Sequence, residues 1–451
     1  MFFECINLKS LNLFKKLSDN LINMNSIFYN CYSLISLNFE KYNKINVNYM
    51  EKMFYNCSTL NNLLLSNFYT SFVKNMGYMF TNCSSLTMIE LSNFNTSNVF
   101  NFDSMFLNCS KLISLNLNHF NTSQAINMDI MFGNCKSLTS LNLNSFNTYK
   151  ITNMSFLFVN CSKLSVLNID NFITTNVISM NSMFYNCYVL TSLNINSFNT
   201  SNVKNMDYMF YNCSKLVNLN LNNFDTFEVT TMVSMFSDCK NLLKLNLSSF
   251  TTSKVLNMSY MFYNCINLDS LDLTTFNISN VKNMEYIFAG NEVLTSLILE
   301  SFKESNVEKI NSMFSGCTLL SSIDLSNFYT PNLINMSMVF YKCFSLEYLN
   351  ISNLSTNLVT NMEYMFYDCW SIRSLDLFNF VGNSVININK MFYGCSSLNY
   401  LNISNFNTSK IVDMSYLFYG CILLSSLNLT NFDTSNVKYM EYMFYNFKSL
   451  E

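Results

Sequence analysis

A chain of 451 residues with 50% hydrophobic content can build a large core, but its 12% charged residues and formal net charge of −3 exclude the basic footprint that nucleic acid or an anionic membrane surface requires. Seven glycines and the single Pro331 are too few to turn an ordinary mixed globular chain. Asn, which tolerates left-handed backbone, is left to make the turns. Asn, Ser or Thr interrupts every hydrophobic stretch, so no apolar run spans a bilayer, and Met1-Phe2-Phe3-Glu4-Cys5 lacks the basic-then-apolar order of a signal peptide.

The cysteines share one register, beginning at Cys5 and recurring every 26 residues through Cys31, Cys57 and Cys83 to Cys421, with Asn291 and Phe447 replacing Cys at two of the positions. Phe stands three residues before every such position, and Leu three residues after, except for Ile372. There is no insertion, deletion or linker, so residues 1–451 read as one repeat solenoid.

Within the coil Leu112–Leu138, Leu115 and Leu117 alternate with outward Asn116, the period-2 pattern of a short strand. Phe120 and a polar Asn-Thr-Ser corner follow. Met128, Met131, Phe132 and Cys135 then recur at spacings of three, one and three, which predicts a helical stripe of about two turns, 3₁₀ in part. Asn127 stands at the N-cap, and its equivalents are Asn, Ser, Thr or Asp in 14 of 17 coils, among them Asn75, Ser179, Thr231 and Asp413. Acidic residues follow two places on, at Glu51, Asp103, Asp129, Asp207, Glu285, Glu363 and Glu441, where a helix dipole favours them. The residue before each Cys position is Asn, Gly or Asp except at Glu4 and Lys342, which predicts a left-handed helix end.

One coil cannot outweigh its ordering entropy alone. About 17 coils are therefore expected to stack as a right-handed α/β solenoid, each a short parallel strand plus a short helix, with like residues in ladders. Met1-Phe2 is the Met-Phe of a repeat under way, and Leu450-Glu451 begins an unfinished coil. The expectation is a fragment of a longer solenoid, or end-to-end association through the uncapped layers of Leu8, Leu11 and Leu13 and of Met440, Met443 and Phe444.

L-x-x-L-x-L at this period is a leucine-rich repeat, and the fuller string Met209–Thr226, MFYNCSKLVNLNLNNFDT, closely resembles the 26-residue repeat of the BspA-like family of bacterial surface proteins. The resemblance covers essentially the whole chain and implies a cell-surface or extracellular location and a role in adhesion. It departs where typical repeats carry Asn or Cys three residues after the last strand Leu. Here Phe120, Phe146 and Phe198 stand in that place.

The cysteines read as buried free thiols on the inward stripe, with pairing between adjacent coils as the alternative. Zinc is disfavoured by the lack of any Cys-x-x-Cys and by the single His119. His119 stands where other coils have Asn93 or Ser145 and reads as a surface residue. No nucleophile, acid pair or phosphate loop is assembled, so neither an enzyme nor a cofactor is expected. The Asn-Cys-Ser motifs at Asn56, Asn82, Asn108, Asn160 and Asn212, and the Asn-Thr-Ser motifs at Asn95, Asn121, Asn199 and Asn407, read as by-products of the repeat rather than glycosylation sites.

The outward column of the strands carries Asn116, Asn142, Asn168, Asn194, Asn220 and Asn246, then Asp272, Asp324, Asn350, Asp376, Asn402 and Asn428. Such an array can bind a glycan or a peptide backbone along a solenoid face, or it can be an amide ladder that satisfies itself. Tyr208, Tyr211, Tyr260, Tyr263, Tyr364, Tyr367, Tyr416 and Tyr419 form a second surface, packed between coils or sticky. The coil around Asn291, with Ile298 in the outward column and Glu300, Lys303, Glu304, Glu308 and Lys309, is expected to continue the stack. Its altered surface is either drift or a specialised contact patch. The leading expectation is a non-enzymatic surface or secreted protein binding an unidentified protein or glycan. A structural spacer that self-associates through its ends or Tyr face, and an intracellular scaffold, are the alternatives.

Overall fold

The computed structural model describes residues 2–11, 22–39, 44–303 and 305–449. Met1, Leu13, Glu304, Leu450 and Glu451 lie outside the described residues. Contacts divide the chain into two compact units, Met1–Asp225 and Thr226–Glu451. Each is a stack of 26-residue coils in parallel register.

In the first unit Ser140–Asn142 pairs in parallel with Val166–Asn168, Leu141 facing Leu167 and Asn142 facing Asn168. In the second, Ser322–Asp324 pairs with Tyr348–Asn350, and Ser374–Asp376 with Tyr400–Asn402. The middle Leu or Ile of these strands points inward, and residues on either side point out, as a pleated segment requires. The strands are two or three residues long and form one four-stranded and five two-stranded sheets among the described residues. The strand ladder is thus interrupted, with no strand at Asn116, Asn194, Asn220, Asn246 or Asn428.

The expected helix is absent among the described residues, and a run of turns takes its place. In the coil ending at Cys135, Met131 N–H donates to the Met128 carbonyl (3.2 Å), Gly133 to Ile130 (2.9 Å) and Cys135 to Phe132 (3.2 Å). These are three consecutive β-turns. The N–H groups between them leave the coil: Phe132 donates to Leu157 (3.1 Å) and Asn134 to Val159 (2.7 Å) of the next one. Ile130 and Asn134 are both left-handed, at φ 53° and 58°, so the helical sense is broken every fourth residue. A stripe spaced three, one and three suits either geometry, but coil-to-coil bonding aligns the Met, Phe and Cys columns. The capping bond survives without a helix: Asp129 N–H donates to Asn127 Oδ1 (2.9 Å). The Asn127 column makes a second parallel ladder, with bridges from Asn75 through Asn101 to Asn127 and from Asn257 through Asn283, Lys309 and Asn335 to Asn387.

The core is a set of like-on-like ladders. Phe132, Phe158 and Phe184 stack with 5.7 Å between ring centroids, and Phe366, Phe392 and Phe418 at 5.6 and 5.5 Å. Every cysteine is free, and all but Cys5 are buried. Cys161 Sγ–H donates to the Phe132 carbonyl (3.2 Å), which also accepts the N–H of Cys135. The left-handed Asn before each Cys carries an amide ladder in the first unit, Asn134 to Asn108 (2.7 Å), Asn160 to Asn134 (2.8 Å) and Asn186 to Asn160 (2.7 Å). The Asn-Cys-Ser asparagines sit in this ladder, with their amides already spent.

The corner read as polar is polar and buried at once. Thr174 is 1% exposed, its hydroxyl donating to the Asn199 carbonyl (2.7 Å) and accepting the Asn199 N–H (2.7 Å). One hydroxyl thereby satisfies both main-chain groups of a residue in the next coil, as a buried peptide requires.

Candidate ligand-binding face

The outward strand column leaves Asn116, Asn142, Asn194 and Asn220 of the first unit exposed and Asn168 half-buried. In the second unit Asn246, Asp272, Asp324, Asp376 and Asn428 are exposed, and Asn350 and Asn402 are half-buried. Each sits where the strand turns into the corner, and that position explains the residue type. The side-chain oxygen accepts the N–H two residues on: Asn118 to Asn116 (3.2 Å), Asn144 to Asn142 (3.1 Å), Ser326 to Asp324 (2.8 Å) and Phe378 to Asp376 (3.0 Å). Asn and Asp supply the same acceptor, so they interchange without changing the turn. These bonds from Thr274 hold the Asp272 carboxyl below its usual range.

The turn uses one oxygen and leaves the other polar atom of the side chain. Some remaining groups join the preceding coil, as Asn220 Nδ2 does to Asn196 Oδ1 (2.8 Å) and Asn402 Nδ2 to Asp376 Oδ1 (2.9 Å). The amides of Asn116 and Asn142 and the second oxygen of Asp324 bond no other described residue and face solvent. Carboxylates occupy alternate coils, at Asp272, Asp324 and Asp376, so like charges stand about 10 Å apart at ordinary strand spacing, near the screening length. Two exposed rings, Tyr348 (54%) and Tyr400 (51%), share the second unit's face and were missed in sequence because Ser usually fills their place.

The tyrosines beside the turn run are ordered by mutual packing. Tyr341, Tyr367, Tyr393, Tyr419 and Tyr445 stack at 5.1, 4.6, 4.5 and 4.9 Å. Tyr364 and Tyr416 flank the Lys390 ammonium, each 5.3 Å from it. Burial pushes the Tyr367 hydroxyl up to about 12. His119 Nε2 lies 2.9 Å from the Leu91 carbonyl, the role that Ser145 Oγ plays to the Leu117 carbonyl. It stitches two coils. Burial raises the thiols of Cys161 and Cys317 to about 12, which keeps them protonated and removes their nucleophilic form. No group of metal-ligating side chains is gathered among the described residues, and no helix there is long and apolar enough to cross a membrane.

A family model described as "Mycoplasma protein of unknown function, DUF285" matches residues 22–142, 128–244, 214–321, 290–399 and 370–451. The chain belongs to this family. The overlapping matches share the 26-residue period that carries the resemblance to the bacterial surface-protein repeat. Solved structures similar to the chain include a leucine-rich repeat protein from Bacteroides ovatus, 18% identical, covering 97% of this chain and 93% of that one at a TM-score of 0.42. Another is a leucine rich cell surface protein from Faecalibacterium prausnitzii, 17% identical, covering 80% and 83% at a TM-score of 0.42. A third, a leucine-rich repeat protein from Eubacterium ventriosum, is 14% identical and covers 86% and 85% at 0.32. No curated protein matches the chain in sequence.

Proposed function

We propose that the chain is a non-enzymatic cell-surface or secreted repeat protein that binds a protein or glycan along its outward strand column. The observation that carries this is the division of labour within several of the column residues. One oxygen closes the turn, while amides such as those of Asn116 and Asn142 and the free oxygen of Asp324 face solvent at the coil repeat. A repeating set of donors and acceptors on a stacked scaffold suits a repeating ligand. The surface location rests on the repeat string of Met209–Thr226.

Asn116→Asp with Asn142→Asp separates fold from binding, because Asp keeps the turn acceptor and removes an amide donor that bonds no other described residue. The intact chain is applied to a glycan array and to immobilised matrix proteins. The double variant should keep its melting temperature within a few degrees and lose tenfold or more in affinity for whatever the native chain binds. Unchanged binding by the variant would remove the column from the site. Antibody labelling of intact against permeabilised cells tests the location.

A further inference from the structure

Beyond the strand face, we propose that a groove at the corner around Lys303 binds a hydroxyl-rich ligand, a mono- or oligosaccharide. In regular coils a buried Thr bonds the corner of the next coil. Thr96 Oγ1 donates to the Asn121 carbonyl (2.9 Å) and accepts its N–H (2.8 Å). Thr148 does the same for Ile173 (2.8 and 2.7 Å), and Thr226 for Thr251 (2.8 and 2.8 Å). Each corner therefore presents an N–H and a C=O that together receive one hydroxyl from 25 residues earlier.

At Ile278 that hydroxyl is missing. The side chain is still buried, at 1% exposed, but it offers a hydrocarbon where the next coil needs a donor and an acceptor. Lys303, 25 residues on, has neither main-chain group bonded to a described residue, and its ammonium has no ion pair there. The following corner departs as well. In corners that carry Asn before the Thr position, the N–H of the residue after it bonds the Asn Oδ1, as Ser97 does to Asn95 (3.0 Å). Here Pro331 has no N–H and Tyr329 has no carboxamide. Ser305 turns inward instead, its N–H donating to the Tyr329 carbonyl (3.1 Å).

Three consecutive departures leave an open groove of about 670 Å³ in the second unit, lined by Thr274, Asn277, Ser279, Lys303, Ser305 and Asn306 among others. That volume lies within the range of small-ligand sites. The described lining contributes hydroxyls, carboxamides and one ammonium, and no carboxylate. Its main-chain pair at Lys303 belongs to a position that takes a hydroxyl in regular coils. Several of the side-chain groups also bond within the stack, as Asn306 Nδ2 does to the Ser279 carbonyl (2.9 Å), but a polyol, whose hydroxyls each donate and accept, can still meet the Lys303 N–H, C=O and ammonium, which an apolar group would leave unpaired.

The test titrates the full chain with maltotriose, xylotriose and N-acetylchitotriose, with citrate as the anion control, by calorimetry and saturation-transfer NMR. Ile278→Thr returns the hydroxyl to the Lys303 N–H and C=O and, being the residue of regular coils, should keep or raise the melting temperature. At least one saccharide should saturate the native chain at one site, and Ile278→Thr should weaken it tenfold or more. Lys303→Ala should weaken it without loss of fold. The proposal is overturned if no saccharide saturates, if citrate alone binds, or if Ile278→Thr binds as tightly as the native chain. Failure of the Asn116/Asn142 test leaves this groove untouched, because those residues lie in the other unit.

Discussion

The coil around Cys265 and the coil around Asn291 occupy neighbouring places in one stack and treat their interiors and corners differently. Cys265 Sγ–H donates to the Phe236 carbonyl (3.1 Å), and Asn291 keeps that bond with its amide, donating to the Phe262 carbonyl (3.0 Å) and also to Phe288 (2.7 Å). The stack runs on through it: Phe288 and Phe314 remain stacked at 5.6 Å, and the Asn283, Lys309 and Asn335 bridges persist. The interior therefore selects for a donor of about the right size, not for sulfur. Asn291 pays for the exchange with a buried Oδ1 that has no partner. At the corner, by contrast, the Thr252 hydroxyl meets the Asn277 carbonyl (2.7 Å), whereas Ile278 offers nothing to Lys303. A lost interior donor would leave a core carbonyl with its main-chain bond alone, while a lost corner donor opens a groove to water.

The largest expected effect tests the thiol columns against the coil that lacks one. Burial lifts Cys161, Cys317 and Cys421 from an ordinary 9.0 to about 12. The folded chain thus holds protons that the unfolded chain releases above pH 9. Stability should be level up to that pH and fall between 9 and about 12 as unfolding becomes coupled to thiol ionisation. Urea midpoints across this range check it, and a midpoint that rises with pH there would contradict the sign. In the second unit, Asn291→Cys should steepen the fall.

Exchanging the two interior donors comes next. Cys161→Asn installs the orphan oxygen in a regular coil and should destabilise by about 1–3 kcal/mol. Asn291→Cys removes that oxygen and should stabilise by about 1–2 kcal/mol at neutral pH. Equal and small effects would mean that the two coils are not distinguished by this atom. Smaller again, Thr174→Val leaves the Asn199 N–H and C=O unpaired near the surface and should cost about 1–2 kcal/mol. Calorimetric melting of the variant beside Ile278→Thr tests whether corner hydroxyls are worth the same in both units.

Much of this comparison was legible in the residues. The Phe, Cys and Leu columns, their 26-residue register and the left-handed Asn or Gly before each Cys follow from a period without gaps. The column residues face outward, with Asn168, Asn350 and Asn402 half-buried, but Asn116, Asn194, Asn220, Asn246 and Asn428 lie outside any strand, and the structure adds why Asn and Asp interchange there. The helix was misread because Met128, Met131, Phe132 and Cys135 repeat at a spacing that consecutive turns also satisfy. The deciding feature, left-handed backbone at Ile130, Phe156 and Tyr208, has no residue signature, since the next coil's hydrogen bonds impose it. The corner Thr looked like surface because its partner is main chain 25 residues away.

Turns bonded from coil to coil, not helices, close the stack among the described residues. Far-ultraviolet circular dichroism of the folded 451-residue chain tests it most directly. The expected spectrum is of the β and turn type without the helical double minimum, and it should be lost in one unfolding step with protection of the Phe132 and Asn134 amides. A clear helical double minimum, or free exchange of those two amides in the folded chain, would contradict it.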